Sequence, residues 1–243
     1  QILQSLPQAI QTMLDPADCG PACLSLCQDV QGETFEYPEE FFKERVHNIR
    51  RPKPDDFQIK QAVEKIKNSK NPIIISGGGV FYSDAMEELS NFAVKHNIPV
   101  TQTVMGYSTM KKDHSHFVGP IGGLGGKAAN NLAKETDLAI CIGTKLADFT
   151  TGSWANFENP QFKLVSINIA RHDANKHLAD AVIGDAKVSL IELSNALGDW
   201  RSSDSWHKKS QDELKSWNEY VDKESGPTTV SYTHLRAHET VMN

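Results

Sequence analysis

A doubly wound α/β fold is what this sequence predicts, and three observations predict it. From Asp55 to about Leu197, short apolar runs alternate with amphipathic helical stretches, the rhythm of βα repeats that build a parallel sheet. The apolar runs are nearly continuous rather than alternating, so both faces of the sheet are expected to be covered. Two of them end directly on glycine, at Gly77 and Gly143, as strands do where the chain turns sharply into a helix.

In chain order, the first helix is expected over 1–13, where Ile2, Leu6, Ile10 and Met13 recur at near-helical spacing. After Asp15-Pro16 and Gly20-Pro21, the run Ala22 to Cys27 reads as a short buried strand. Gln31 to Pro54 is polar, punctuated by proline and without periodicity, which reads as a linker. Helix 56–68 carries Ile59, Ala62, Val63 and Ile66 on one face, and the isoleucine run 72–76 is a strand. Helix 83–96 presents Met86, Leu89, Phe92 and Ala93 along one stripe. Further strands are expected at 99–103, 138–142, 164–169 and 181–183, with helices at 127–134, 173–177 and 187–197. Five strands buried on both faces make a Rossmann-like sheet. Residues 205–223 are charged and helix-friendly, with Trp206, Leu214, Trp217 and Val221 as the apolar minority, and read as a connecting helix.

With 243 residues, 39% hydrophobic and 23% charged, the chain can bury one sizeable core and a smaller appendage. A net charge of -6 and no dense run of Lys and Arg argue against a nucleic-acid partner. No apolar stretch reaches the roughly 18 residues of a membrane span, and no signal-peptide order is seen at the start, so a cytoplasmic protein without membrane contact is expected. Cys19, Cys23 and Cys27 are spaced by four, with neither a Cys-x-x-Cys pair nor matching histidines. This spacing is poor for zinc, and reduced thiols packed in or near a strand are expected, Cys141 among them.

The candidate ligand crevice lies at the glycine-rich strand ends: Gly77, Gly78 and Gly79 after strand 72–76, and Gly143 after strand 138–142. In a parallel α/β sheet the carboxyl ends of the strands border the ligand site, and glycine lets backbone approach closely. A second glycine cluster, Gly122 to Gly126, contains Gly123-x-Gly125-x-x-Ala128, a formal dinucleotide fingerprint, with Asp148 downstream as a ribose-binding acid. That fingerprint needs a strand immediately before it, and His116 to Gly119 is short, polar at its start and followed by Pro120, so no NAD site is expected there. His114 with His116, and His172 with His177, lack helical metal-binding spacing and are assigned surface or capping roles. Trp154 is read as partly buried core more readily than as pocket lining. No nucleophile elbow or Walker phosphate loop is present, so no residue is named as catalytic and none as a metal ligand.

The ordered series Pro72 to Gly79, Pro99 to Thr103, Gly119 to Gly126, Asp137 to Gly143 and Gly184-Asp185 resembles the central domain of thiamine-diphosphate enzymes of the acetolactate synthase type. Gly20-Pro21-Ala22 and Cys27-Gln28-Asp29-Val30 are similar to the end of that family's preceding domain. Leu26 to Gln31, Leu146 to Trp154 and Asn168 to His177 resemble the branch that opens a cyclic dione during inositol breakdown. The resemblance implies a parent enzyme that uses thiamine diphosphate and Mg²⁺ to hydrolyse a ring carbon–carbon bond of trihydroxycyclohexane-1,2-dione to a deoxy-glucuronic acid. Its substrate is a small cyclic dione, and subunit-bridging cofactor sites imply a homodimer or homotetramer. Ile167-Asn168-Ile169-Ala170 replaces the Ile-Asp-Ile-Asp run of the synthases, so FAD is not expected.

On this resemblance, 1–36 is the tail of the pyrimidine-binding domain, 37–54 a linker and 55–198 the central domain. Residues 199–227 are then a linker helix toward a missing diphosphate-binding domain. Residues 228–243 read as non-native, because Val-Ser-Tyr-Thr-His-Leu is what a common sequencing adapter encodes in one frame. The activating glutamate is expected upstream of Gln1, and the Mg²⁺-binding Gly-Asp-Gly is absent, with only Gly184-Asp185-Ala186 and Gly198-Asp199-Trp200 present. The chain is therefore expected to be a fragment, inactive alone and binding none of these cofactors. Two alternatives stay open: an acetolactate-synthase-like enzyme acting on pyruvate, and a non-catalytic nucleotide-binding module.

Overall fold

The computed structural model describes residues 1–225, so the reading of 228–243 as non-native lies outside the described residues. Helix α1 (Ile2–Leu14) opens the chain, followed to Asp55 by extended backbone with 3-10 turns at Val30–Gly32 and Glu39–Phe42. The expected strand at 22–27 is not formed: these residues are exposed coil, with Leu26 62% accessible. Its apolar composition suits a strand, but no neighbouring strand among the described residues can take up its backbone donors and acceptors.

From Asp55 the βα rhythm appears as expected. The elements are α2 (Asp56–Lys67), β1 (Pro72–Ser76), α3 (Gly78–Tyr82), α4 (Met86–His96), β2 (Val100–Gln102), β3 (Phe117–Pro120), α5 (Lys127–Glu135) and β4 (Leu138–Ile142). They continue with α6 (Asp148–Thr151), β5 (Lys163–Asn168), α7 (Arg171–Ala174), β6 (Asp180–Ile183), α8 (Ala186–Leu197) and α9 (Asp204–Glu224). All six strands are parallel, in the order β3-β2-β1-β4-β5-β6. This is the Rossmann-like, doubly wound arrangement read from the sequence, with one strand more than expected.

The alternation of side chains across the sheet divides the core in two. Ile74, Val100, Ile140, Ile142, Val165, Ile167 and Val182 face α2, α4 and α8, where Ile66, Leu89, Phe92 and Leu193 meet them. Ile73, Ile75, Ala139 and Cys141 face the other way, against Ala129, Leu132 and Ala133 of α5 and Trp206 of α9. Each fully buried isoleucine contributes about 1.5–3 kcal/mol relative to exposure. Helix α9 is thus a layer of the domain: Trp206 is buried and its Nε1 donates to the Pro72 carbonyl at 2.8 Å. No described helix is long and apolar enough to cross a membrane.

Local signals fix the helix ends. The Asp55 carboxylate accepts from the Phe57 amide to start α2, the Asp185 carboxylate accepts from Lys187 and Val188 amides to start α8, and the Ser203 hydroxyl caps α9. The helix expected at 83–96 forms from Met86, because Asp84 sits at φ 53° and interrupts the chain, and a short helix that was not expected, α3, precedes it. The expected helix at 173–177 is likewise short, with His177 at φ 60°.

Candidate functional site

In a sheet of this order the strands run off in opposite directions from β1 and β4, and a crevice opens beyond their carboxyl ends. The turns after these two strands carry Gly78, Gly79 and Gly143, which line a cavity of about 730 Å³. Gly77 stands just behind it, where an added Cβ would lie 2.6 Å from the Thr144 Cβ. The four candidate glycines are therefore together in space, although 63 residues lie between Gly79 and Gly143 in the chain.

Their backbone groups hold the turns to each other. The Gly77 amide donates to the Ile142 carbonyl at 2.8 Å, Gly79 to the Gly143 carbonyl at 2.9 Å, and Gly143 to the Ile167 carbonyl at 2.8 Å. Three donors that could have faced a ligand are thus engaged across the sheet. The glycines act by letting two backbones touch, and the side chains around them form the cavity walls.

Those walls are chiefly apolar. Met105 follows β2, Ala147 and Phe149 follow β4, and Ile169 and Ala170 follow β5. Lys145 adds a positive charge, while Asp173 is paired with Lys176 at 2.5 Å. Asn168 joins two of the turns, donating from Nδ2 to the Thr144 carbonyl at 3.2 Å and accepting from the Ala170 amide at 3.0 Å. An aspartate at 168 would set a carboxylate oxygen against that carbonyl, which gives the Asn in the Ile167 to Ala170 run a structural reason.

Sequence reasoning missed the opposite wall. Met13, Leu14, Pro16, Ala17, Ile49 and Arg51 line the cavity from the segment ahead of the α/β domain. Arg51 reaches in from there, bonding the Ser83 carbonyl, the Ser83 hydroxyl at 3.0 Å and the Asp185 carboxylate at 3.2 Å. The Asp185 amide also donates to the Pro52 carbonyl at 2.9 Å. A buried acid just after a strand-end glycine was the available signal, since such an acid needs a partner.

The second glycine cluster does follow a strand, β3, which corrects the reason given against a dinucleotide site. What closes the loop is its own chain. The Asn130 side chain accepts from the Gly122 amide at 2.9 Å and donates to the Gly122 carbonyl at 3.0 Å. The Gly123 amide donates to the Phe149 carbonyl at 2.7 Å, and a Cβ on Gly122 would collide with that carbonyl. Asp148 begins α6.

The histidines also need correction. His116 is buried rather than superficial, its Nε2 donating to Asn97 Oδ1 at 3.2 Å and its ring stacked on His207 with centroids 4.2 Å apart. Burial first, then the positive charges of His207, His114 and Arg201, push His116 down to about 4. His114 bonds Ser90 at 2.9 Å, and His172 and His177 are exposed. Cys19, Cys23 and Cys27 are exposed and only Cys141 is packed in a strand, against the expectation for the first three. Trp154 packs on Phe157 and His177 and does not line the crevice.

Neither Gly-Asp motif suits a magnesium diphosphate. Asp185 is consumed as the cap of α8 and the partner of Arg51, and Asp199 is an exposed residue after the Gly198 turn. Among the described residues no cluster of three acidic, His or Cys side chains could hold a metal ion.

Comparison with known proteins places this geometry. The family described as "Thiamine pyrophosphate enzyme, central domain" matches residues 59–193. A 3D-(3,5/4)-trihydroxycyclohexane-1,2-dione hydrolase of Clostridium perfringens is 42% identical over 219 residues, covering 90% of this chain and 34% of that protein. Hydrolases of the same name from Bacillus cereus and Clostridium tetani are 44% and 40% identical, with 84% and 96% of this chain and 32% and 37% of theirs covered. The chain thus spans about a third of the length of these relatives. Since the match from 59 to 193 takes in more than half of its residues and falls on the six-stranded sheet, the chain belongs to the thiamine pyrophosphate enzymes, as their central domain.

Proposed function

We propose that this chain is the central part of a hydrolase that opens the ring of trihydroxycyclohexane-1,2-dione, yielding a deoxy-glucuronic acid in myo-inositol catabolism. The observation that carries this reading is the 42% identity to a hydrolase of that name over 90% of the chain. Two of the three phrases that resemble the inositol branch also meet in space, where the Trp154 ring packs edge-on against His177 with centroids 4.5 Å apart. In the parent, thiamine diphosphate with Mg²⁺ would supply the carbanion chemistry, and the protein would be a cytoplasmic homodimer or homotetramer.

On this reading the 243 residues alone neither bind thiamine diphosphate nor turn over the dione, because Asp185 is committed to α8 and Arg51 and the Gly198-Asp199 pair is followed by Trp200 rather than the glycine of a Gly-Asp-Gly segment. The test restores the full gene. Ring opening of the dione supports the proposal, and acetolactate formed from pyruvate in its place favours the synthase reading. Calorimetry of the chain with thiamine diphosphate and Mg²⁺ is the companion measurement, and micromolar binding would overturn the division of labour.

A second role belongs to the crevice itself. Its volume of about 730 Å³, apolar walls and the lysine at 145 suit the adenine nucleotide of a dinucleotide-type site. Thermal shift against ADP, FAD and NAD tests it. No stabilisation by any of them leaves the domain as scaffold.

A further inference from the structure

At the end of the sheet away from the crevice, His96, His114, His116 and His207 gather where α9 begins. The connector between α8 and α9 is pinned there by the buried pair His96-Asn97 at the end of α4. His96 Nδ1 donates to the Trp200 carbonyl at 2.7 Å, and the Ser202 amide donates to the His96 carbonyl at 2.9 Å. Asn97 Nδ2 donates to the Ser202 carbonyl at 3.2 Å and to the Asp204 carboxylate at 3.1 Å.

Beyond this pinned connector, the start of α9 meets β3 through two stacked rings. His207 covers the buried His116, with centroids 4.2 Å apart and planes 24° from parallel. The Asn97 amide nitrogen is turned to Ser202 and Asp204, so its oxygen is what faces His116 Nε2, which donates to it at 3.2 Å. His207 Nδ1 is buried with no bonding partner among the described residues, and a proton placed there finds no acceptor. Both rings are thus built into the joint as neutral groups.

The surrounding charges favour that state. His114, from the loop ahead of β3, and Arg201, from the connector, both oppose a proton on His116. Asp204 of α9 favours one on His207, but it is shared with Asn97 and with Arg201, whose Nη2 lies 3.9 Å away. Lys95 stands beside His96 on α4, and β2 brings only Val100, Thr101 and Gln102. With α9 docked, burial and then these cationic neighbours hold His116 at about 4; His207 is also lowered, chiefly by burial. Lifted into water, both rings return to the ordinary value near about 6.5. The lifted state therefore takes up protons first. Docking is at full strength above that value and weakens as pH falls toward about 4, by up to about tenfold per pH unit for each ring.

We propose that the His116–His207 stack is a proton-operated latch: in acid the two rings take up protons and α9 lifts from β3 and α5 about the pinned connector, while the six-stranded sheet stays formed. The sheet is separable from this event because its hydrogen bonds run from strand to strand. What it gives up is the cover that Trp206 lays over the Ile73 and Ile75 face.

The test is hydrogen exchange of the 243-residue chain from pH 7.5 to 5, corrected for the intrinsic pH dependence of amide exchange. Peptides of α9 (204–215) are compared with peptides containing β1 and β4. Protection of α9 should fall by about ten- to a hundredfold between pH 6 and 5, the factor for one to two protons. At pH 5 it should lie at least about tenfold below that of the two strands and respond weakly to urea, as a sub-global opening does. His207→Phe keeps a stacked ring that cannot titrate, and His116→Gln keeps a donor to Asn97. Each should flatten the fall in α9, and the double variant should nearly abolish it. Equal denaturation midpoints at pH 7.5 verify folding, and either single variant suffices if the other does not fold. Equal protection of α9 and the strands at every pH would mean that α9 opens only with the whole domain, which overturns the latch. A fall in α9 that is the same in all variants, or no fall, overturns it too.

Discussion

Gly79 and Gly143 stand so close that a Cβ on either would meet the other's backbone: one on Gly79 would lie 2.6 Å from the Gly143 Cα, and one on Gly143 would lie 2.5 Å from the Gly79 Cα. Gly143 also holds φ at +60°, where a side chain is strained. Gly143→Ala should therefore cost about 2–5 kcal/mol, combining overpacking with backbone strain. Urea denaturation measures it. Gly198→Ala is the control: φ is also positive there but nothing lies within 4 Å of the added Cβ, so it should lose only the strain.

The buried histidines make the fold sensitive to acid. His116 is held down to about 4, and His96 and His207 are also lowered, each chiefly by burial, with Asp204 pulling His207 the other way. Unfolded histidine titrates near about 6.5, so the unfolded chain takes up protons first. The stability these groups contribute is complete above that value and is lost as pH falls toward about 4. Denaturation midpoints at pH 7.5, 6 and 5 should decline in that order, and more weakly in His116→Gln. An equal decline in the variant would remove His116 from the account.

Trp206 fastens α9 to the sheet by its ring and by one hydrogen bond to the Pro72 carbonyl. Trp206→Phe keeps most of the apolar contact and should cost about 1 kcal/mol, whereas Trp206→Ala should cost about 3–5 kcal/mol. If the alanine variant were as stable as the parent, α9 would not be a layer of the domain.

Asp185 joins the cap of α8 to Arg51. Asp185→Ala should cost about 1–2 kcal/mol from the cap alone, and more because Arg51 loses its acid. Arg51→Ala should then cost less in the Asp185→Ala background than in the parent. A double-mutant cycle by chemical denaturation gives the coupling, and additive costs would mean the two residues act independently.

Thiol chemistry separates the four cysteines. Cys19, Cys23 and Cys27 are exposed, while Cys141 is fully buried in β4 and burial pushes its thiol up. A thiol-specific chromophoric reagent should modify three cysteines in the native chain and the fourth only in denaturant.

The central fold was legible because Pro72 to Ser76 and Leu138 to Ile142 are apolar throughout, and such runs only suit strands covered on both faces. Strand β3 was not, since it begins at Phe117 after a histidine and ends in Gly119-Pro120, and no α-helix stands between it and β2. Ala22 to Cys27 erred the other way, because apolar residues signal a strand without saying whether a partner exists. The break at Asp84 was hidden by a Ser-Asp pair that also reads as a helix start. At the site, the glycines were visible as strand ends, but their meeting depended on β1 and β4 being neighbours, which is a property of strand order. Arg51 lay in a stretch with no periodicity, and Asp15 read only as part of the Asp15-Pro16 turn, so neither carried a signal of its partner.

The six-strand order also leaves two outer strands, and each is finished in its own way. Beside β6 the Gln58 side chain of α2 accepts from the Ile183 amide at 2.9 Å, and Lys65 of the same helix pairs with Asp180 at 3.4 Å. At the far side β3 ends on a proline, which has no amide hydrogen to offer, while α9 packs beside it. Strand-by-strand addition of another chain needs an open row of donors and acceptors. Here one border is occupied by an amide side chain and an ion pair, and the other runs out at a residue that cannot donate, so both resist sheet growth and the aggregation that follows from it.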